Sequence, residues 1–307
     1  MLLTTASTFR VNRREFLRSG AAGIVCGAGL LPSRAALGMA LGLPLGLQLY
    51  SVREMLPTDF EGTLKKIAAL GYEEVEAAGF FHHTAAEVKA AMTGAGLRCV
   101  SAHYPSDELH KRLDEIIAFH KELGARYIVC SSPGYKTAPA AGSPRPALAL
   151  EDWRWNAGEF NKFGEKVKAA GMQFGYHNHF HEFMKVDGVV PYDELLRLTD
   201  PALVTFEMDC GWVKVGGGDP TVYLRDHADR ISMLHVKDFK PLAAGAAVGT
   251  RPEPAELGQG TMDMRAVLRA ATPGRIKHVF VEQEGFDMPP FESLKVDAEY
   301  MRGSKVG

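Results

Sequence analysis

Short apolar runs rich in β-branched residues alternate with amphipathic stretches from residue 46 almost to the end of the chain. The runs at 46–51 (GLQLYS), 73–77 (EEVEA), 97–102 (LRCVSA) and 126–131 (RYIVCS) predict strands. So do those at 172–178 (MQFGYHN), 203–208 (LVTFEM), 231–236 (ISMLHV) and 277–282 (KHVFVE). Helical periodicity predicts helices over 59–70, 84–95, 107–123, 151–170, 192–198, 220–228, 264–271 and 291–301. Gly71 stands where the first helix must end, a place that favours a residue free to take positive φ. Eight βα units in about 260 residues fit a closed barrel better than an open, doubly wound sheet. The open sheet also calls for a Gly-rich phosphate turn after the first strand, and the chain reads QLYSVRE there. The expectation is a single-domain α/β protein, a (β/α)8 barrel.

The first forty residues break the alternation. Arg13-Arg14 precede Phe16-Leu17 and then a weakly apolar run at 19–31 (SGAAGIVCGAGLL). That run is shorter than the ~20 residues a membrane span needs. Gly38-Met39-Ala40 supplies the small residues a signal peptidase reads. The segment resembles a twin-arginine signal peptide over 1–40, with the barrel domain at 41–307. It implies export by the Tat pathway to the periplasm, with no stable membrane association after cleavage.

Composition narrows the classes. With 46% hydrophobic and 23% charged residues the chain is not of disordered type, and 4 Cys in 307 residues make no disulfide scaffold. Removing 1–40 takes five Arg and one Glu, which carries the net charge from −2 to −6. An acidic, exported chain argues against a nucleic-acid partner. Cys26 leaves with the signal, so Cys99, Cys130 and Cys210 remain, in strand-like surroundings that predict buried thiols.

In a (β/α)8 barrel the functional side chains sit at the C-terminal ends of the strands. Those ends offer Gln48 and Tyr50, Glu76, His103, then His177, His179 and Glu182, then Asp209, then His235, Lys237 and Asp238, then Glu282 and Glu284. Asp209, His235 and Glu282 each close an apolar run, and a divalent cation offsets the cost of burying such carboxylates. His177 and His179 are two apart and share one strand face. This nitrogen and oxygen set suits one divalent metal ion, Mn, Zn, Co or Fe, and is too nitrogen-rich for Ca. His82, His83, His110 and His120 read as surface residues without a role, and Trp153 and Trp155 as packing or pocket-lining residues.

The motifs GLQLYSVRE, YHNHFHEF, FEMDCGW, LHVKD, LGQG and VEQE resemble those of the xylose-isomerase-like TIM barrels, the sugar phosphate isomerase/epimerase family. The resemblance spans nearly all of residues 46–302 and implies a metal held by strands five to eight. Asp209, His235 and Glu282 match the family's Asp, His and Glu ligands. At the strand-five position, where the family has Glu, this chain has His177. Either His177 or Glu182 completes the set, and His177 is the expectation. Trp212 stands where many relatives carry a His.

A metal beside a carbonyl acidifies the neighbouring carbon-bound proton, and a carboxylate or imidazole must remove it. Glu282, His179 and Glu182 are the candidate bases, with Lys237 neutralising the developing oxyanion. Gln48, Tyr50, Glu76, His103 and Trp212 are the expected substrate-binding residues. Export and the lack of a phosphate cradle point to a non-phosphorylated keto-sugar or cyclitol as the small-molecule partner. Isomerisation or epimerisation is the expected reaction. The alternatives are β-elimination by a lyase or dehydratase on a 3-keto-sugar or inosose, and a non-catalytic periplasmic sugar-binding barrel. A DNA-repair endonuclease on this fold is disfavoured by the acidic charge and the export signal. The loops at 133–150 and 239–262 are expected to rim the pocket, and the oligomeric state is left open.

Overall fold

The computed structural model describes residues 40–303, apart from 141, 144, 272 and 273. The expected signal segment therefore lies outside the described residues, but for Ala40. Eight parallel strands close on themselves: β1 (Leu45–Gln48), β2 (Glu74–Ala77), β3 (Arg98–Pro105), β4 (Tyr127–Ser132), β5 (Gln173–His177), β6 (Val204–Asp209), β7 (Ile231–Val236) and β10 (His278–Val281). The ring runs β1-β10-β7-β6-β5-β4-β3-β2, so the first and last strands pair, with Gly46 opposite Phe280. Between them lie α1 (Phe60–Ala69), α2 (Ala85–Ala95), α3 (Ser106–Leu123), α4 (Leu150–Ala169), α5 (Pro191–Leu198), α6 (Cys210–Val215), α7 (Pro220–Asp226) and α8 (Met264–Ala270). The closing helix is α9 (Pro290–Gly303). This is a single-domain (β/α)8 TIM barrel.

Local chemistry sets the boundaries. Asp59 caps α1 by accepting from Gly62 N at 2.9 Å, and Thr84 with Glu87 forms a capping box on α2. Gly71 has φ +90°, as a residue just past a helix end often does. The first strand is shorter than expected. It stops at Gln48, whose side chain accepts from Tyr50 N and turns residues 49–52 into a 3₁₀ turn. Two additions to the expected elements bear on the site. One is α6, which starts at once because Asp209 caps it through Trp212 N. The other is an antiparallel pair, β8 (Asp238–Phe239) with β9 (Pro254–Ala255), in the loop before α8.

Most apolar burial lies between the strands and the helices, in one large core. A second, small cluster, Val100, Val129, Met233 and Phe280, comes from β3, β4, β7 and β10. Met233 and Phe280 lie two residues before His235 and Glu282, so they share the inward strand face one step lower. These four form an apolar plug inside the barrel. His120 corrects the surface assignment: it is fully buried, with Tyr104 Oη 3.0 Å from its Nε2 and burial pushing the imidazole down to about 4. Cys99, Cys130 and Cys210 are free and buried.

Candidate active site

Above the plug the inward face turns polar. Along β6 and β7 the period of two points Glu207, Asp209 and His235 into the barrel, and Lys237 continues the series beyond β7. Glu76, Glu207, Asp209 and His235 are fully buried, and His177 and Lys237 nearly so. Buried ionisable groups must find partners or pay a desolvation cost, and here they find one another in two tiers.

The lower tier is a closed ring of four atoms. Glu76 Oε1 lies 2.8 Å from His103 Nε2, which lies 2.7 Å from Glu207 Oε2. Glu207 Oε2 is 3.3 Å from His235 Nε2, which returns to Glu76 Oε1 at 2.7 Å. Gln48 Nε2 donates to the same Glu76 oxygen at 2.7 Å, and His177 Nδ1 lies 3.1 Å from Glu207 Oε2. Burial alone would raise the Glu76 carboxyl, but His103 and His235 outweigh it and hold the group well below the usual range. Burial and the Glu76 charge both act to raise Glu207, yet the imidazoles bring it down to about 2. Burial would lower His103, and the two carboxylates instead raise it to about 9.

The upper tier brings together the four residues expected to hold a metal. Donor atoms of His177, Asp209, His235 and Glu282 all lie within 4.8 Å of one another. Glu182, the alternative fourth ligand, is in neither metal-capable group: its Oε1 accepts from Tyr176 Oη at 2.6 Å and from His179 N at 3.0 Å. Lys237 Nζ sits over the tier, 3.0 Å from Asp209 Oδ2, 2.7 Å from Glu282 Oε2 and 2.6 Å from Glu284 Oε1. Burial would strip that ammonium of its proton, but Asp209, Glu282 and Glu284 hold it charged. The same contacts divide the carboxylates. Burial raises Asp209 despite Lys237, whereas at Glu282 Lys237 and His235 overcome burial and keep the group ionised. Asp209 Oδ2 is buried and faces the Lys237 ammonium at 3.0 Å, and its Oδ1 is taken by Trp212 N at 2.8 Å. Two buried carboxylates and two imidazoles with their donor atoms this close together fit a divalent transition-metal ion.

Both tiers open into a cavity of about 450 Å³ lined by Tyr50, His103, His177, His179, Trp212, Arg251 and Glu282, among others. Tyr50, His103 and Trp212 thus line the cleft, while Gln48 and Glu76 lie beneath it, fully buried and bonded to each other. His179 also lines a neighbouring cavity of about 670 Å³ formed with Tyr135, Arg145, Trp153, Glu182 and Met184. The loops at 133–150 and 239–262 supply Arg145 to one cavity and Arg251 to the other. Burial, with the Lys237 charge adding, pushes His179 down to about 3, so its imidazole is neutral at working pH. Glu207 escaped the sequence reading, although its place two residues before Asp209 on the same strand face was a usable signal. Glu284 was noted only as a strand-end residue. It bonds Lys237 and Arg251 together.

Comparison with known proteins agrees with the barrel. An inosose dehydratase of Clostridium tetani is 27% identical over 192 residues, 59% of this chain and 64% of that relative. An inosose dehydratase of Geobacillus thermodenitrificans is 25% identical over 271 residues, 79% of this chain and 89% of the relative. The crystal structure of a sugar phosphate isomerase/epimerase from Parabacteroides distasonis superposes with a TM-score of 0.70 at 26% identity, covering 89% of this chain and 96% of that one. Residues 64–303, most of the barrel, match the family described as the xylose isomerase-like TIM barrel. The chain belongs to that family.

Proposed function

We propose that this protein is a divalent-metal-dependent lyase that removes water from a polyhydroxylated keto-ring, a cyclitol or keto-sugar without phosphate. The observation that carries the reading is the convergence of His177, Asp209, His235 and Glu282 under a cleft that also holds the neutral His179 and the charged Lys237. Dehydration moves ahead of isomerisation, the first reading from sequence, because two relatives that match in sequence are inosose dehydratases.

His177, Asp209, His235 and Glu282 would hold the ion, whose Lewis acidity lowers the pKa of a carbon-bound proton next to a carbonyl. His179 is the base. Its ring lines the cleft beside His177, and Glu182 fixes its backbone by accepting from His179 N. Lys237 keeps its proton and places positive charge where the oxygen gains negative charge. Glu284 and the Trp212 ring hold that ammonium in place, with Lys237 Nζ 4.8 Å from the ring centroid. The proton leaves the carbon for His179, which hands it to the hydroxyl on the next carbon as that C–O bond breaks, so that water departs and a conjugated enone remains.

The test is a metal-loaded protein given a keto-inositol in D2O. Growth of enone absorbance is expected, with a loss of about 10²-fold or more in His179→Ala. Deuterium exchange without absorbance would make the enzyme an isomerase or epimerase, and binding without either would leave a sugar-binding barrel. We also propose that residues 1–40 direct Tat export, on the Arg13-Arg14 pattern. Replacing both arginines with lysine is expected to leave the protein in the cytoplasm of a fractionated cell; unchanged export would remove the proposal.

A further inference from the structure

We propose that the cavity beside the cleft is a second subsite of the same active site, and that it takes a flat, apolar arm of the substrate ending in a carboxylate. The substrate is then a keto-ring that carries an acidic, aryl-like substituent. This rests on the proposed reaction only in seating the keto-ring in the cleft.

The first argument is room. The cleft of about 450 Å³ and its neighbour of about 670 Å³ share Ser132, His179 and His181 on their walls. Each alone is of a size, roughly 300–1,000 Å³, that holds a small molecule, so a single six-membered ring leaves the second cavity empty. His179 stands at the junction, and a ring held beside it in the cleft can carry a substituent into the larger cavity.

The second argument is that the wall is built in advance. One side of the cavity is the loop at 133–146, which is fastened to the start of α4. Asn156 Oδ1 accepts from Gly134 N at 2.8 Å, its Nδ2 donates to Gly134 O at 2.7 Å, and Asp152 Oδ1 accepts from Lys136 N at 2.9 Å. Tyr135 Oη donates to Pro146 O at 2.6 Å and closes the loop on itself. The Tyr135 ring so held lines the cavity with the buried Trp153, Leu148 and Met184. A preformed aromatic and aliphatic wall receives a flat apolar group at little ordering cost.

The third argument is charge. At the cleft the cations are already matched: Lys237 has Asp209, Glu282 and Glu284, and Arg251 has Glu284. The second cavity reverses this. Arg145 and Lys185 line it, both are exposed, and neither pairs with a carboxylate among the described residues. The carboxylate on its wall, Glu182, is buried and engaged by Tyr176 Oη and His179 N. Two unmatched cations on an apolar pocket select an anion borne by an apolar group, and a guanidinium meets a carboxylate with two parallel donors.

The experiment titrates the full chain with 4-fluorobenzoate, read by its fluorine NMR shift, and with 4-fluorobenzyl alcohol as the uncharged twin. The acid is expected to bind more tightly than the alcohol, and to lose about 2–5-fold in affinity in each of Arg145→Ala and Lys185→Ala. Both side chains are exposed, so neither variant is expected to melt early. Arg251→Ala is expected to bind the acid as wild type does. No binding of the acid, equal binding of acid and alcohol, or an affinity unmoved in both variants overturns the proposal. A loss in Arg251→Ala alone puts the acid in the cleft and overturns it too. The readout is binding and not turnover, so a keto-inositol that gives no enone sinks the proposed reaction without touching the subsite, and a failed titration leaves the reaction standing.

Discussion

Asp297 and Lys237 show how differently burial acts on single charges in this barrel. Lys237 has three carboxylates within 3.0 Å and stays ionised. Its stem is seated by Gly211, where an added Cβ would stand 2.5 Å from Lys237 Cγ. Asp297 has no cation: Oδ1 accepts from Leu257 N at 2.7 Å, Oδ2 is unpartnered, and burial pushes the carboxyl up to about 7, Glu256 and Asp238 adding. A folded pKa above the unfolded one means a contribution fully present below pH ~4 and lost as pH rises through about 7. Asp297→Asn is neutral throughout, so it is expected to melt a few degrees above wild type at pH 8 and level with it near pH 4. Equal melting points at pH 8 would show that Asp297 is not strained. Single residues were legible where an ionisable group closed an apolar run, as Asp209, His235 and Glu282 do. Glu207 and His120 were not, because a charged or imidazole group inside a strand or helix pattern looks the same on paper whether it faces water or a buried partner.

Strands and helices were legible to within a few residues, since their periods come from burial on one face. What escaped was set by single side chains acting on the backbone: Gln48 ends β1, Asp209 starts α6, and Asp238 holds the 258–262 loop through Gly258 N, Gly260 N and Met262 N. Closure of the barrel depends on how near β1 approaches β10. A Cβ on Gly46 would stand 2.4 Å from Phe280 Cδ1 and 2.6 Å from Val279 O. Gly46→Ala is therefore expected to destabilise by about 1–3 kcal/mol, read as a lower denaturation midpoint with an unchanged slope. A neutral result would mean that the β1–β10 seam is looser than its contacts suggest.

For the whole molecule, the count of βα units was enough to choose a barrel, and the strand-end chemistry was enough to choose its working face. The ring was hidden because its four members come from four strands and 159 residues of separation, Glu76 to His235; nothing local couples them. The plug of Val100, Val129, Met233 and Phe280 has a kinetic consequence. It closes the barrel below the ring to ions and water alike, so traffic to Glu76 and Glu207 runs through the cleft and past Asp209 and Glu282. A molecule seated in the cleft stands over that route, so solvent reaches the ring only as fast as the cleft empties.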